Sequence, residues 1–199
     1  PIEVAKVGDI VCIAGAENIT VGDTLSDKDN VNTLPFVKIS EPSVEMSFMV
    51  NNSPFAGKEG KFCTSRQLRD RLFKEAVKDL SLKVFDTENA DTFRVLGRGE
   101  MHLSILMENL RRDGYEFQVS QPKVLYKEID GKLYEPIERV VVDLPDDKTG
   151  NVISVLGARK GELVSMHSSN GRTRLEYLIP ARGLFGYKSQ FLTDTNGEG

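Results

Sequence analysis

Hydrophobic and polar positions alternate in short runs along most of this chain, and in two places the period lengthens to that of a helix. Val44, Met46, Phe48 and Val50 alternate with Glu45, Ser47 and Met49, which predicts a strand with one buried face. Leu68, Leu72, Phe73, Ala76, Val77 and Leu80 then form an apolar stripe, with Arg66, Arg69, Asp70, Lys74 and Lys78 on the other side, as in an amphipathic helix. Thr64 and Gln67 stand at capping-box spacing ahead of it. Leu82 and Val84 predict a strand, Asp86 to Asp91 a turn, and Phe93 and Val95 another strand. Leu103, Leu106, Met107 and Leu110 mark a second helix, and Gly114 sits where a glycine cap belongs. Phe117 and Val119 close the series with a strand. The order β-α-β-β-α-β is the ferredoxin-like split βαβ arrangement.

The order then restarts. Val140, Val142 and Leu144 predict a strand, residues 146–150 a turn, and Val152 to Leu156 a helix ending near Gly157. Leu163, Val164 and Met166 mark a strand, Ser168 to Gly171 a hairpin turn, and Thr173, Leu175, Tyr177 and Ile179 the returning strand. A further helix is expected over about Leu184–Thr193, and the unit lacks a last strand. At the front, Val7–Ile13 and Ile19–Leu25 read as short strands between glycine turns, the remnant of a β-barrel. Two strands alone do not make a stable domain. The expected class is α+β, with the end of a barrel at 1–33, a ferredoxin-like domain at 34–122 and a second, truncated one at 123–199. The chain begins without Met and in mid-pattern, and is read as a piece of a longer protein.

Charge changes the picture locally. The formal net charge is −4, which gives no bulk attraction for polyanions. Residues 1–33 carry −4, residues 34–127 carry +2 and residues 128–199 carry −2. Any nucleic-acid contact must come from clusters. Lys58 and Lys61 flank glycines in the polar stretch 51–64, with Arg66 just beyond; Arg159 and Lys160 follow a helix; Arg172 and Arg174 share a strand face, with Arg182 and Lys188 later. Lys and Arg on glycine-rich backbone suit phosphate contact, because amide N–H groups can join in. The aromatic signature of sheet-type RNA readers is absent, so contact by shape and phosphate is the expected mode.

Catalytic constellations are weaker. Cys12 and Cys63 stand far apart, without metal-ligand spacing, and are read as idle thiols of a reducing cytoplasm. No apolar run approaches the ~20 residues of a membrane span. Gly60-Lys61 is the nearest approach to a P-loop, but Phe55 stands where the first glycine is needed and Phe62 replaces the hydroxyl residue. His102 lies two residues from Glu100, a spacing that does not share a helix face, and is read as structural. His167 is read as a solvated strand-end residue. No catalytic, cofactor-binding or metal-binding residues are assigned.

Asn51 to Leu72, Phe93 to Leu103 (FRVLGRGEMHL), Arg111 to Glu116, Gln121 to Val124, Leu156 to Gly161 and Arg172 to Leu184 (RTRLEYLIPARGL) resemble the TypA/BipA family of ribosome-associated translational GTPases. The G-E-x-H-L portion is shared with elongation factor G and LepA. The likeness covers essentially the whole chain. It implies a ribosome-binding portion of a GTPase acting in ribosome assembly and stress responses. GTP and Mg²⁺ would be held by a domain outside this chain, and the chain itself needs no cofactor. The implied partners are rRNA and ribosomal proteins, with no membrane, and the chain is expected to be monomeric and cytoplasmic. By matching motif, Lys58, Lys61, Arg66 and Arg98 are candidates for contact with the small subunit. Arg159, Lys160, Arg172, Arg174 and Arg182 are candidates for the stalk base of the large subunit. The residues alone leave two other readings: an acylphosphatase-like hydrolase using Asn51 or Asn52 with an Arg, and a ferredoxin-like effector-binding or interaction module.

Overall fold

The structure is a computed structural model that describes residues 2–15, 19–36 and 41–199. It divides into a unit at Pro1–Ile39 and a unit at Ser40–Gly199.

In the first unit the two expected strands are not formed. Among its described residues, Val7–Ile13 and Ile19–Leu25 form no strand; Asp27 and Asn30 make the one isolated bridge. Two turns of the same chemistry replace the strand starts. Asp9 N–H donates to the Lys6 carbonyl at 3.0 Å, and Asp23 N–H to the Thr20 carbonyl at 3.2 Å. The two carboxylates accept in return, Asp9 from Lys6 N–H at 2.7 Å and Asp23 from Thr20 N–H at 2.8 Å. Gly8 and Gly22 sit at φ 97° and 98°, which the third position of such a turn requires. Val7, Ile10 and Ile13 are exposed, because lone segments without a facing sheet have nothing against which to bury.

The second unit is a mixed α+β structure with two cores. Its first sheet contains β1 (Val44–Val50), β2 (Lys83–Asp86), β3 (Thr92–Gly97), β4 (Phe117–Val119) and the short β5 (Lys123–Val124). The strand order is β2-β3-β1-β4, every pair is antiparallel, and β5 also pairs with the start of β1. Helices α1 (Ser65–Lys78) and α2 (Glu100–Arg112) complete the order β-α-β-β-α-β. Val44, Met46 and Phe48, spaced two apart on β1, meet Phe93 and Val95 of β3 and the helix residues Leu68, Leu72, Leu103, Leu106 and Leu110. The Thr64–Gln67 capping box is formed.

Beyond β5 the chain makes a small hairpin, β6 (Lys127–Ile129) and β7 (Lys132–Tyr134). The second sheet follows: β8 (Ile137–Pro145), β9 (Glu162–Ser169) and β10 (Arg172–Pro180), in the order β8-β10-β9. Helix α3 (Thr149–Ala158) lies between β8 and β9 in sequence. After β10 a tight 3-10 turn covers Ala181–Leu184, and α4 spans only Tyr187–Asp194. The single helix expected from Leu184 is therefore shorter and preceded by a bend at Gly186. Val142, Leu144, Val152, Leu156, Leu175, Tyr177, Ile179 and Tyr187 form the second core.

The two cores are joined directly. Phe185 packs on the first core, and Gly186 N–H donates to the Glu100 carboxylate at 3.1 Å. A cleft of about 290 Å³ at this junction is lined by Ser43, Arg98, Glu100, Arg139 and Leu184 among others.

Leu72 is fully buried, and truncating such a leucine typically costs about 2–5 kcal/mol through lost transfer energy and a residual cavity. Leu72→Ala is expected to destabilise the first core by that amount, read from its urea unfolding curve. A loss below about 1 kcal/mol would contradict the packing described.

Candidate nucleic-acid interface

Residues 51–64 run from β1 to α1 with no helix and only one isolated bridge, at Phe62. A loop of this length would be costly to order unless something bound its backbone. The Glu116 side chain does so. Its Oε1 accepts from Asn51 Nδ2 at 2.6 Å and from Gly57 N–H at 2.9 Å. Its Oε2 accepts from Glu59 N–H at 3.2 Å and Gly60 N–H at 3.1 Å. Asn51 Oδ1 in turn accepts from Ser53 N–H and Gln118 Nε2, each at 3.0 Å. The far end is tied to the backbone after α2: Lys61 and Phe62 N–H both donate to the Gly114 carbonyl, and Glu116 N–H to the Phe62 carbonyl. The Phe62 and Tyr115 rings pack at 4.8 Å.

Two consequences follow. The amides of Gly60 and Gly57 above all, helped by Asn51 and Glu59, hold the Glu116 carboxyl down at about 2, since each stabilises the ionised form. At Gly60 a Cβ would lie 2.6 Å from Glu116 Cβ and 2.9 Å from its backbone nitrogen, so no larger residue fits without moving the anchor. The amides that a phosphate cradle around Gly60-Lys61 would use are thus occupied by the protein's own carboxylate and carbonyl groups.

The nine basic candidates fall into different situations. Lys58 and Lys61 are exposed on this loop, and Arg66 is exposed on the first turn of α1. Among the described residues these three make no ion pair; Lys58 Nζ stands 4.9 Å from the Phe55 ring centroid. Arg98 is exposed between β3 and α2, beside the junction cleft. Lys160 is exposed just after α3 in a left-handed conformation. Arg172 and Arg174 project from the exposed face of β10. Arg172 donates to the carbonyls of Asp143 and Glu198, and Arg174 lies 3.6 Å from the Asp143 carboxylate. Arg182 is paired with Glu135 at 2.8 Å. Arg159 is different. Half-buried, it donates to the carbonyls of Gly183 at 2.7 Å and Phe185 at 3.1 Å and to Gln190 at 2.9 Å, and stacks on Tyr187. Its donors hold the bend before α4.

His102 is a connector. Arg98 N–H donates to its Nδ1 at 3.2 Å, so Nε2 carries the proton toward Asp79 at 2.8 Å. Asp79 also accepts from the Ser81 amide and hydroxyl. Burial raises the Asp79 pKa, but the Ser81 bonds and His102 outweigh it and the net shift is downward. Glu100 turns away to Gly186. His167 is exposed on β9 and Cys12 is exposed, while Cys63 donates to the Gly60 carbonyl at 3.2 Å. Glu116 and Asp79 were missed by sequence reasoning. The clue to Glu116 lay in its place two residues beyond Gly114, but its partners are 56 to 65 residues away.

A family profile described as "Elongation factor G C-terminus" matches residues 132–199. The chain is 52% identical over 197 residues to the "Large ribosomal subunit assembly factor BipA" of Salmonella typhimurium, covering 98% of this chain and 32% of that protein. The same-named proteins of Escherichia coli K12 and Bacillus subtilis are 52% and 51% identical, over 99% and 100% of this chain. The chain is a homologue of the BipA/TypA family. It spans about a third of the length of these relatives. Among solved structures, one from Thermus thermophilus aligns with 88% of this chain and 41% of its own at TM-score 0.48 and 16% identity.

An NMR titration of the Glu116 carboxyl is expected to give a midpoint near 2. Because the folded value lies below the unfolded one, its stabilising effect is complete above the unfolded value of 4.5 and is lost as pH falls from there toward 2. A midpoint at 4.5 would show an unanchored loop. Calorimetry of this chain with GTP and Mg²⁺ is expected to show no binding, since the loop's amides are already taken. Micromolar binding would contradict this.

Proposed function

We propose that this chain is the ribosome- and rRNA-binding portion of a translational GTPase of the BipA type, acting in large-subunit assembly and in stress responses in the cytoplasm. The carrying observation is the 51–52% identity over essentially every residue of the chain. At that identity the fold and its cores transfer, and the basic residues and the loop anchor are read on this chain's own surface. GTP hydrolysis belongs, in this reading, to the two thirds of the relatives' length that the chain does not span.

The finer architecture belongs to the same proposal. The order β2-β3-β1-β4 with α1 and α2 on one face is read as a ferredoxin-like split βαβ domain over 34–122. The β8-β10-β9 sheet with α3 and α4 is read as a second one over 123–199, of the elongation factor G C-terminal kind and lacking its last strand, although the first residues of that range, β5, pair with β1 of the first sheet. Residues 1–33 are assigned to the end of a preceding domain. Each αβ domain then carries its own basic residues, spread over both ends of its sheet. Lys58, Lys61, Arg66 and Arg98 serve the first, and Lys160, Arg172, Arg174 and Arg182 the second. Arg159 serves by shaping the bend that follows Arg182. With a net charge of −4, binding depends on these local groups meeting phosphates, and it is expected to weaken steeply with salt.

Co-sedimentation of the chain with ribosomes, as a monomer, at about 50 and 200 mM salt tests this. Lys58→Ala/Lys61→Ala and Arg172→Ala/Arg174→Ala are each expected to weaken binding without unfolding. Each lost phosphate contact should flatten the log–log salt slope by roughly 0.7–0.9, and the two pairs should act independently because they lie on different cores. Wild-type affinity and slope in both double variants would remove the site assignment. Absence of binding by the wild-type chain would remove the function.

A further inference from the structure

We propose that Phe55 is a stacking platform for an unpaired RNA base, with Lys58 and Lys61 meeting the flanking phosphates. The inference deepens the ribosome-binding reading and rests on it. Phe55 is 68% exposed, and its ring has no aromatic partner among the described residues. It belongs to neither core. Exposed single apolar residues are ordinary, but this one is held out on a loop whose backbone is fixed from both ends. Its own N–H donates to Ser53 Oγ at 3.3 Å, and Ala56 N–H closes the turn on the Ser53 carbonyl at 3.0 Å. Just beyond, Gly57, Glu59 and Gly60 are bound to Glu116. The ring is therefore presented before any partner arrives, and binding pays little ordering entropy.

The surrounding charge selects the partner. Lys58 stands over the ring, and Lys61 and Arg66 belong to the same loop and the helix turn it enters, none of them ion-paired among the described residues. The nearby acids, Glu59 and Glu116, are outnumbered by these three cations, and the Glu116 oxygens are taken up by four donors of the loop. An exposed aromatic among cations in local excess matches how single-stranded nucleic acid is held, with bases on π-faces and phosphates on Lys and Arg. An apolar protein pocket would favour the ring but not the three cations.

The chain contains no Trp, so Phe55→Trp places a single reporter at the site. The probes are short oligoadenylate and oligouridylate RNAs and, separately, purified ribosomes. Phe55→Ala is expected to weaken oligonucleotide binding roughly fivefold to a hundredfold, the worth of one stacked base, with an unchanged salt slope. Phe55→Leu should be as weak as Phe55→Ala. Phe55→Trp should retain affinity, and its fluorescence should be quenched by the adenylate more than by the uridylate. Failure of the wild-type chain to bind either RNA, or equal binding by Phe55→Ala, overturns the proposal. So does full binding by Phe55→Leu without quenching in Phe55→Trp, which indicates an apolar protein contact. Phe55-dependent RNA binding by a chain that does not sediment with ribosomes would sustain the stacking site and remove the ribosome reading. Sedimentation with no Phe55 dependence in either assay would do the reverse.

Discussion

One carboxylate organises the surface on which the account depends. Glu116 stands just before β4, the strand that pairs with the end of β1, and reaches across to three backbone amides and one side-chain amide of the 51–64 loop. Without it, a polar segment with few apolar anchors would sample many conformations, and fixing it on binding would cost entropy for each residue ordered. With it, the loop is a shaped object. The same bonds that depress the Glu116 pKa fix where Phe55, Lys58 and Lys61 stand. The carboxylate also neutralises the amide nest, so the positive character of the loop resides in its side chains rather than its backbone.

The rest of the second unit keeps that anchor in place. β4 and β5 both pair with β1, so the residue that binds the loop and the strand from which the loop departs belong to one sheet. At the other side of the first core, Phe185 and the Glu100–Gly186 bond connect it to the second core. Arg159 fixes the bend leading into that contact by binding the Gly183 and Phe185 carbonyls. Of the two basic candidates in the string Ala158-Arg159-Lys160-Gly161, Arg159 is therefore held by internal bonds, while Lys160 is exposed.

Local periodicity was legible wherever a face is buried. β1, β3, α2, β8 and β10 follow their apolar spacing; α1 does so through Leu68, Leu72, Phe73 and Ala76, while Val77 is exposed and Leu80 lies past the helix end, and Thr64–Gln67 caps α1 as its chemistry predicts. The reading went wrong where a short alternating run had no sheet to join: Val7–Ile13 holds a tight turn through Gly8 instead of a strand. It overlooked the β6–β7 hairpin, whose strands are three residues each and exposed throughout, although Asp130-Gly131 between them is a turn signal. The candidate site was half legible. Charged residues beside glycines pointed to Lys58 and Lys61, but the Glu116 anchor, the Asp79–His102 link and the role of Arg159 depend on contacts 23 to 65 residues apart, which spacing along the chain does not reveal. The resemblance to the BipA/TypA family was carried by motifs that span both cores, and it agrees with the whole-chain identity to the relatives.

The most direct test of the account is the ribosome affinity of Glu116→Gln. The substitution removes a negative charge, so attraction to rRNA phosphates by net charge alone would make binding equal or tighter. It also sets an amide NH₂ against the loop's N–H donors, which would release Phe55, Lys58 and Lys61 from their fixed arrangement. The account predicts weaker binding in a sedimentation assay, with the secondary structure of both cores unchanged by circular dichroism. Equal or tighter binding by Glu116→Gln would contradict it.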